Sequence, residues 1–196
     1  PEAYIDMAYL PPEHDRARWL ADGLPLLIGT QSRRDLLDFD VVLVSNAYTL
    51  ELINLPYLLI HSGIPVWAGE RDATFPLVVL GGSNAMASQA IFTPDGDCVA
   101  DAVFFGEGER EVEALIRSFH ATSGQPKVAR LAAAAGAVHG LWVANALGEQ
   151  EILEAICHQP EAEDLIVTYP SLNSEESSTA RLQINFGCPA FCTFCF

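Results

Sequence analysis

The sequence predicts an α/β fold with a parallel sheet. Three short runs, residues 41–44, 77–80 and 102–105, are entirely apolar and rich in β-branched or aromatic side chains. Such runs are typical of parallel strands that are buried on both faces. Polar residues or glycines follow each run, and an amphipathic stretch follows the third. Strand, turn and helix signals repeated in this way indicate an α/β architecture.

The N-terminal half of the chain also predicts helices. Residues 16–28 predict a helix and then a short strand at 24–28. After the first apolar run, residues 50–61 carry apolar side chains at helical spacing. Pro56 interrupts this pattern, so it either lies in the first turn of the helix or kinks it. A second extended piece is expected at residues 64–67.

The C-terminal half predicts one clear helix and several weaker elements. Residues 109–119 form an amphipathic pattern whose apolar positions share one face; these are Val112, Leu115, Ile116 and Phe119. Residues 139–143 predict a short strand, and the polar residues 173–178 predict a loop. Residues 181–186 alternate polar and apolar side chains, as a strand of period two does.

Composition limits the class of protein. The chain has 196 residues, half of them hydrophobic, which is enough for one domain or for one domain and part of another. Its net charge of −16 argues against a surface that grips phosphate backbones, so DNA is not an expected partner. No apolar run is long enough to cross a bilayer, and no signal-peptide pattern is present, so no membrane association is expected.

Three of the five cysteines lie close together near the C-terminus. They are Cys188, Cys192 and Cys195, spaced C-x3-C-x2-C directly after the strand predicted at 181–186. An odd, clustered set of cysteines is not typical of a disulfide framework, and it suits a reducing compartment such as the cytoplasm. Three thiolates on one tight loop can each hold one iron of a [4Fe–4S] cluster. The fourth iron would then be open for chemistry.

Two other metal sites are compatible with these cysteines. One is a zinc site completed by a fourth ligand such as Cys157 or His158, and the other is a ferredoxin-type cluster with a fourth cysteine. Both usually contain C-x2-C pairs, whereas this spacing begins with C-x3-C. The alternative function is therefore a non-catalytic module that uses zinc or a cluster structurally, joined to an α/β docking domain.

The cysteine loop resembles that of the radical SAM superfamily, in which it follows the first strand of a (β/α) barrel. Phe194 matches the aromatic residue before the third cysteine, so the resemblance assigns it to cofactor binding. The resemblance implies that the cluster binds S-adenosylmethionine and cleaves it reductively to a 5′-deoxyadenosyl radical. It also implies a reductant such as flavodoxin or ferredoxin, and it leaves open a small-molecule or macromolecular substrate.

The α/β segment resembles the cobalamin-binding-type domain of uncharacterised B12-binding-domain radical SAM proteins. The matching features are a strand ending in Ser45, a strand ending in Gly81 and Gly82, and the Gly-Glu-Gly-Glu sequence at 106–109. The resemblance implies that Ser45, Gly81 and Gly82 line a cleft for the nucleotide tail of cobalamin, as a second cofactor. The D-x-H-x-x-G pattern of the axial histidine is absent, and His14 is not assigned to it.

These patterns divide the chain into three parts. Residues 1–120 are expected to form the Rossmann-like cobalamin-binding-type domain, with its first strand and helix preceding Pro1. Residues 121–178 are expected to be a linker region, and residues 179–196 the start of the radical SAM barrel. The sequence thus predicts the N-terminal fragment of a radical SAM enzyme, which we expect to be inactive alone.

Overall fold

The computed structural model of the chain describes residues 3–157, 166–170 and 178–182. The chain divides into two units, Pro1–Ala155 and Ile156–Phe196. The described part of the first unit contains an open four-stranded sheet with helices, and that of the second contains a two-stranded antiparallel sheet. The predicted α/β class is therefore confirmed for the first unit.

The elements of the first unit alternate along the chain. Its helices are α1 (Glu13–Ala21), α2 (Asn54–His61), α3 (Glu111–Ala121) and α4 (Lys127–Ala137). Its strands are β1 (Val41–Ser45), β2 (Leu77–Gly81), β3 (Ala102–Phe104) and β4 (Leu141–Val143). Short 3-10 turns lie at Leu36–Asp38, Thr49–Ile53, Ala68–Glu70 and Ala85–Ile91.

The order of strands in the sheet follows their order in the chain, β1-β2-β3-β4. The first three strands are parallel, and β4 pairs with β3 in the antiparallel direction. In the direct pairing of β1 with β2, Val41 lies opposite Leu77 and Ser45 lies opposite Gly81. No other strand therefore lies between β1 and β2.

Each face of the sheet packs against its own apolar cluster. The cluster on one face includes α2, and its buried residues include Leu55, Leu59, Val78, Leu80 and Val103. The cluster on the other face includes α3 and α4, and its buried residues include Leu77, Val79, Phe104, Leu115, Phe119 and Leu131. Burial on both faces explains why the sequences of β2 and β3 are continuously apolar. Residues 121–155, which lie in the predicted linker region, contribute α4 and β4 to this unit.

Two of the predicted extended pieces do not join the sheet. Residues 24–28 form no strand, and only Ile28 makes an isolated bridge, with Asp35. Residues 64–67 form no strand either, because the carbonyls of Pro65 and Val66 accept hydrogen bonds from the Arg71 side chain instead. Pro56 is the third residue of α2, so it lies in the first turn, where its missing N–H costs no helical hydrogen bond.

The second unit contains β5 (Ile166–Pro170) and β6 (Ser178–Leu182), paired in the antiparallel direction. β6 includes the first two residues of the strand predicted at 181–186, and residues 183–186 lie outside the described residues. The described ranges contain no barrel, so the barrel start predicted at 179–196 stays a prediction. No helix in these ranges is long and apolar enough to span a membrane.

Candidate functional site

The three residues predicted to line a cobalamin cleft lie together at the carboxyl end of β1 and β2. Ser45 lies opposite Gly81 in the sheet, and Gly82 follows directly. Ser45 and Gly82 are exposed. The carboxyl ends of parallel strands form the usual ligand crevice of α/β domains, so this position is the one expected from the sequence.

The loops that follow β1 and β2 are tied together by two asparagines. The Asn46 side chain donates from Nδ2 to the Asn84 carbonyl at 3.1 Å, and the Asn84 amide donates to the Asn46 carbonyl at 3.1 Å. Asn84 Nδ2 also donates to Thr49 Oγ1 at 2.9 Å. Asn46 is only 2% exposed. These bonds hold the two loops against each other over the edge of the sheet.

Gly82 is required by this contact between the loops. Its φ is +100°, which disfavours residues with a side chain. A Cβ atom at Gly82 would lie 2.6 Å from the carbonyl oxygen of Asn46 and 2.7 Å from its nitrogen. A Cβ atom at Gly81 would face Phe104 Cβ at an ordinary 3.7 Å. The space where a side chain at Gly82 would lie is therefore filled by the chain itself, whereas a Cβ atom would fit beside Gly81.

The backbone amides that follow β1 are also occupied. The Glu51 carboxylate accepts hydrogen bonds from the amides of Ala47 at 3.0 Å and Tyr48 at 3.1 Å. Free amides at the start of a helical turn are a common binding site for phosphate. Here a carboxylate of the chain already fills that position, so a phosphate group would have to displace it.

The carboxyl end of β3 is covered by a later part of the chain. The Phe105 amide donates to the Gly140 carbonyl at 2.8 Å, the Ala155 amide donates to the Phe105 carbonyl at 3.1 Å, and the Glu107 amide donates to the Ala155 carbonyl at 2.9 Å. Gly106 has a φ of +116°, and a Cβ atom there would clash with the Ala155 backbone. The residues implied for cobalamin thus do not fit an open cradle for it.

A buried ionic cluster lies at the opposite end of the strands. Asp101 is fully buried, and its Oδ2 accepts from Arg71 Nε at 3.1 Å and from the Val78 amide at 2.7 Å. Its Oδ1 pairs with the Lys127 ammonium group, which also donates to the carbonyls of Ala68 and Arg71. This cluster joins the start of β2 and β3 to α4. Its members are distant in the sequence, and no motif predicted it.

Cys98 is not suited to bind metal. Burial raises the pKa of the Cys98 thiol to about 12, so it stays protonated at neutral pH and is a poor ligand. Cys157 is half-buried. In the residues that the structure describes, no three His, Cys, Asp or Glu side chains are grouped so that they could hold a metal ion.

The predicted cluster site lies elsewhere in the chain. Cys188, Cys192, Cys195 and Phe194 lie outside the described residues, as does His158. Their assignment to the cluster and to S-adenosylmethionine stays a prediction.

The described part of the first unit is an α/β domain with an open, mostly parallel sheet. The chain belongs to the family described as radical SAM proteins, N-terminal, whose model matches residues 1–144. This match confirms the radical SAM association from residues that do not include the cysteine loop, and it associates the chain with a family of enzymes. No curated protein and no solved structure matches the chain.

Proposed function

We propose that this chain is the N-terminal part of a radical SAM enzyme whose cluster is held by Cys188, Cys192 and Cys195. Two independent observations support the proposal. The family match covers residues 1–144. The C-x3-C-x2-C spacing lies downstream of that match, in a different part of the chain. Residues 179–196 would then begin the catalytic barrel.

The roles of the residues follow from the chemistry of the donor set. Thiolates are the usual ligands of iron–sulfur clusters. A set of three thiolates leaves one iron of a [4Fe–4S] cluster for S-adenosylmethionine. Reductive cleavage of S-adenosylmethionine to a 5′-deoxyadenosyl radical is the chemistry that the cluster supplies when bound. Phe194 would pack beside this site. Cys98 would not compete for iron, because its thiol is buried and protonated.

The proposal includes a cytoplasmic location and an electron donor. A cytoplasmic location would keep the three thiolates reduced and free to bind metal. A flavodoxin or ferredoxin would supply the electron. The net charge of −16 makes a nucleic-acid substrate a poor match for this part of the enzyme.

The test is anaerobic reconstitution of the chain with iron and sulfide. We expect about four irons per chain and an EPR signal on reduction, as for a cubane cluster. Single Cys→Ser variants at 188, 192 and 195 should each lose most of the iron. Cys98→Ala is the matched control and should keep it, because Cys98 is far too buried to be a ligand.

The same measurement separates the proposal from the alternative. Stoichiometric zinc with no iron in the purified and reconstituted protein would favour a structural metal module and reject the radical SAM chemistry. Formation of 5′-deoxyadenosine from S-adenosylmethionine by the enzyme that contains this chain would support the full proposal.

A further inference from the structure

We infer that the carboxyl edge of the sheet is closed by the chain itself, so that this domain binds no cobalamin. The inference concerns the first unit alone and does not depend on the cluster. It rests on the order of the strands, on the packing at β1 and β2, and on the segment that covers β3.

The strand order provides no crevice between β1 and β2. Open α/β sheets bind ligands where the strand order reverses, because adjacent loops there diverge to opposite faces. The described sheet runs β1-β2-β3-β4 without a reversal. Moreover, β1 and β2 pair directly from Val41 opposite Leu77 to Ser45 opposite Gly81. The loops after these strands are therefore neighbours, and they bond to each other.

Close packing of the chain, without a bound nucleotide, explains why glycine stands at these positions. Gly82 allows the Asn46 backbone to approach, and Gly106 allows the Ala155 backbone to approach. Both contacts are with backbone atoms, which cannot rotate away as a side chain can. The space that a ligand would need is thus taken by the parts of the chain that make glycine necessary.

The segment that covers β3, residues 144–155, is held at three points and is here named the closing segment. The Asn145 amide donates to the Gly96 carbonyl at 3.0 Å. The Gln150 side chain pairs with the outer edge of β4, accepting from the Val143 amide at 2.9 Å and donating to its carbonyl at 2.7 Å. Ala155 then bonds to the chain beyond β3 and is 2% exposed. A ligand at the carboxyl end of β3 would have to break the Ala155 contacts, whereas the Asn145 and Gln150 contacts anchor the closing segment nearer the amino end of β3.

The charges at the edge also oppose a phosphate-bearing ligand. Three carboxylates lie in the loops that follow the strands: Glu51 after β1, and Glu107 and Glu109 after β3. The nucleotide tail of cobalamin carries a phosphodiester, which is an anion. Like charges at short range raise the free energy of binding, and the Ala47 and Tyr48 amides that could offset this are already bonded to Glu51.

The direct test is equilibrium dialysis of cyanocobalamin against the 196-residue chain, read by corrinoid absorbance on both sides of the membrane. Cyanide fills one axial position, which limits adventitious ligation by surface histidines or thiols. We expect equal absorbance on the two sides at all concentrations. Saturable retention of an equimolar amount by the protein would overturn the inference.

A second test measures the closed packing without any cofactor. Gly82→Ala should lower the Tm by several degrees more than Gly96→Ala. Gly96 is the matched control because its φ of +89° imposes similar backbone strain, while a Cβ atom there would meet nothing within 4 Å. Equal Tm values for the two variants would overturn the inference, since the close packing of Gly82 against Asn46 would then not contribute to stability. Failure of Gly82→Ala to fold, with Gly96→Ala folded, would support it.

Discussion

Asp101 is a buried charge that joins the start of β2 and β3 to α4. Its carboxylate contacts Arg71, Lys127 and the Val78 amide, and its own amide donates to the Val78 carbonyl at 2.7 Å. A buried charge is tolerated only when it is paired and hydrogen-bonded, and here both oxygens have cationic partners. Sequence patterns do not reveal such a pairing, because the partners lie far apart along the chain and each looks like an ordinary surface charge.

The variant Asp101→Asn should lower the free energy of unfolding by about 3–5 kcal/mol, because Arg71 and Lys127 lose their buried counter-charge. Chemical denaturation monitored by circular dichroism measures this change. The matched control is Glu113→Gln, which breaks an ion pair with Arg117 whose side chains are 68% and 76% exposed. Such exposed pairs contribute about 0–1 kcal/mol. Similar costs for the two variants would contradict the role given to Asp101.

Asp6 should give the N-terminal segment a dependence on pH. Hydrogen bonds from Ser32, and then from the Gln31 and Met7 amides, hold the pKa of this carboxyl well below its usual value of 3.8. A carboxyl with a lowered pKa in the folded state stabilises that state above its unfolded pKa, and the effect is lost as the pH falls through the folded-state value. The contact of Asp6 with residues 31–32 should thus persist at pH 4 and weaken only below 3.8.

NMR shifts of the Gln31 and Ser32 amides measure this dependence. We expect a titration midpoint below 3.8, and we expect Asp6→Asn to abolish the titration. A midpoint at or above 3.8 in the unmodified protein would show that these hydrogen bonds do not favour the ionised carboxylate.

At the scale of the elements, the sequence predicts best where burial is uniform. The strands at 41–44, 77–80 and 102–105 are confirmed; β2 and β3 are buried on both faces, which leaves a continuous apolar signal, whereas β1 is only partly buried and Leu43 is 46% exposed. The extended piece predicted at 64–67 joins no sheet, and the Arg71 guanidinium binds the carbonyls of Pro65 and Val66. A side chain that replaces a neighbouring strand leaves no local pattern in the sequence.

In the candidate site, too, the sequence predicts some features and not others. That Ser45, Gly81 and Gly82 lie together could be predicted, since parallel strands end at a common edge. Why glycine stands at 82 could not, because the reason is the Asn46 backbone on another loop. A glycine pair has the same appearance in a sequence whether it faces a ligand or another loop.

The closing segment offers a test at this scale. Gln150→Ala should lower the free energy of unfolding by about 1–2 kcal/mol, because the Val143 amide and carbonyl lose their hydrogen bonds to the Gln150 side chain. Hydrogen exchange should show faster exchange of the Val143 amide. Gln125→Ala, at an exposed turn, is the matched control and should leave both quantities unchanged. Unchanged exchange at Val143 in Gln150→Ala would indicate that the closing segment is held without this pairing.

At the scale of the whole molecule, the first unit extends beyond the part that the family match covers. The match includes residues 1–144, whereas the unit continues to Ala155. α4 and β4 contribute Leu131, Ala134, Leu141 and Val143 to the cluster on one face of the sheet. A piece of the chain that ended before α4 would expose the apolar side chains of β3 and α3.

Truncation measures where the cooperative unit ends. Residues 1–155 should unfold in a single cooperative thermal transition. Residues 1–120, the domain bounds that the sequence predicts, should show no such transition and should bind a hydrophobic dye, because one face of the sheet loses α4 and β4. Circular dichroism and dye fluorescence give the two measurements. Cooperative unfolding of the shorter piece would support the predicted domain boundary at residue 120.

The strand order has a consequence for how the protein is made. After β1, each strand of the sheet pairs with the one synthesised just before it, so each new strand finds its partner already made. Chains generally fold from the N-terminus during synthesis, and contacts between neighbours in sequence close quickly. The sheet can therefore grow by one strand at a time as the chain emerges. The closing segment arrives last, after the edge that it covers has already formed.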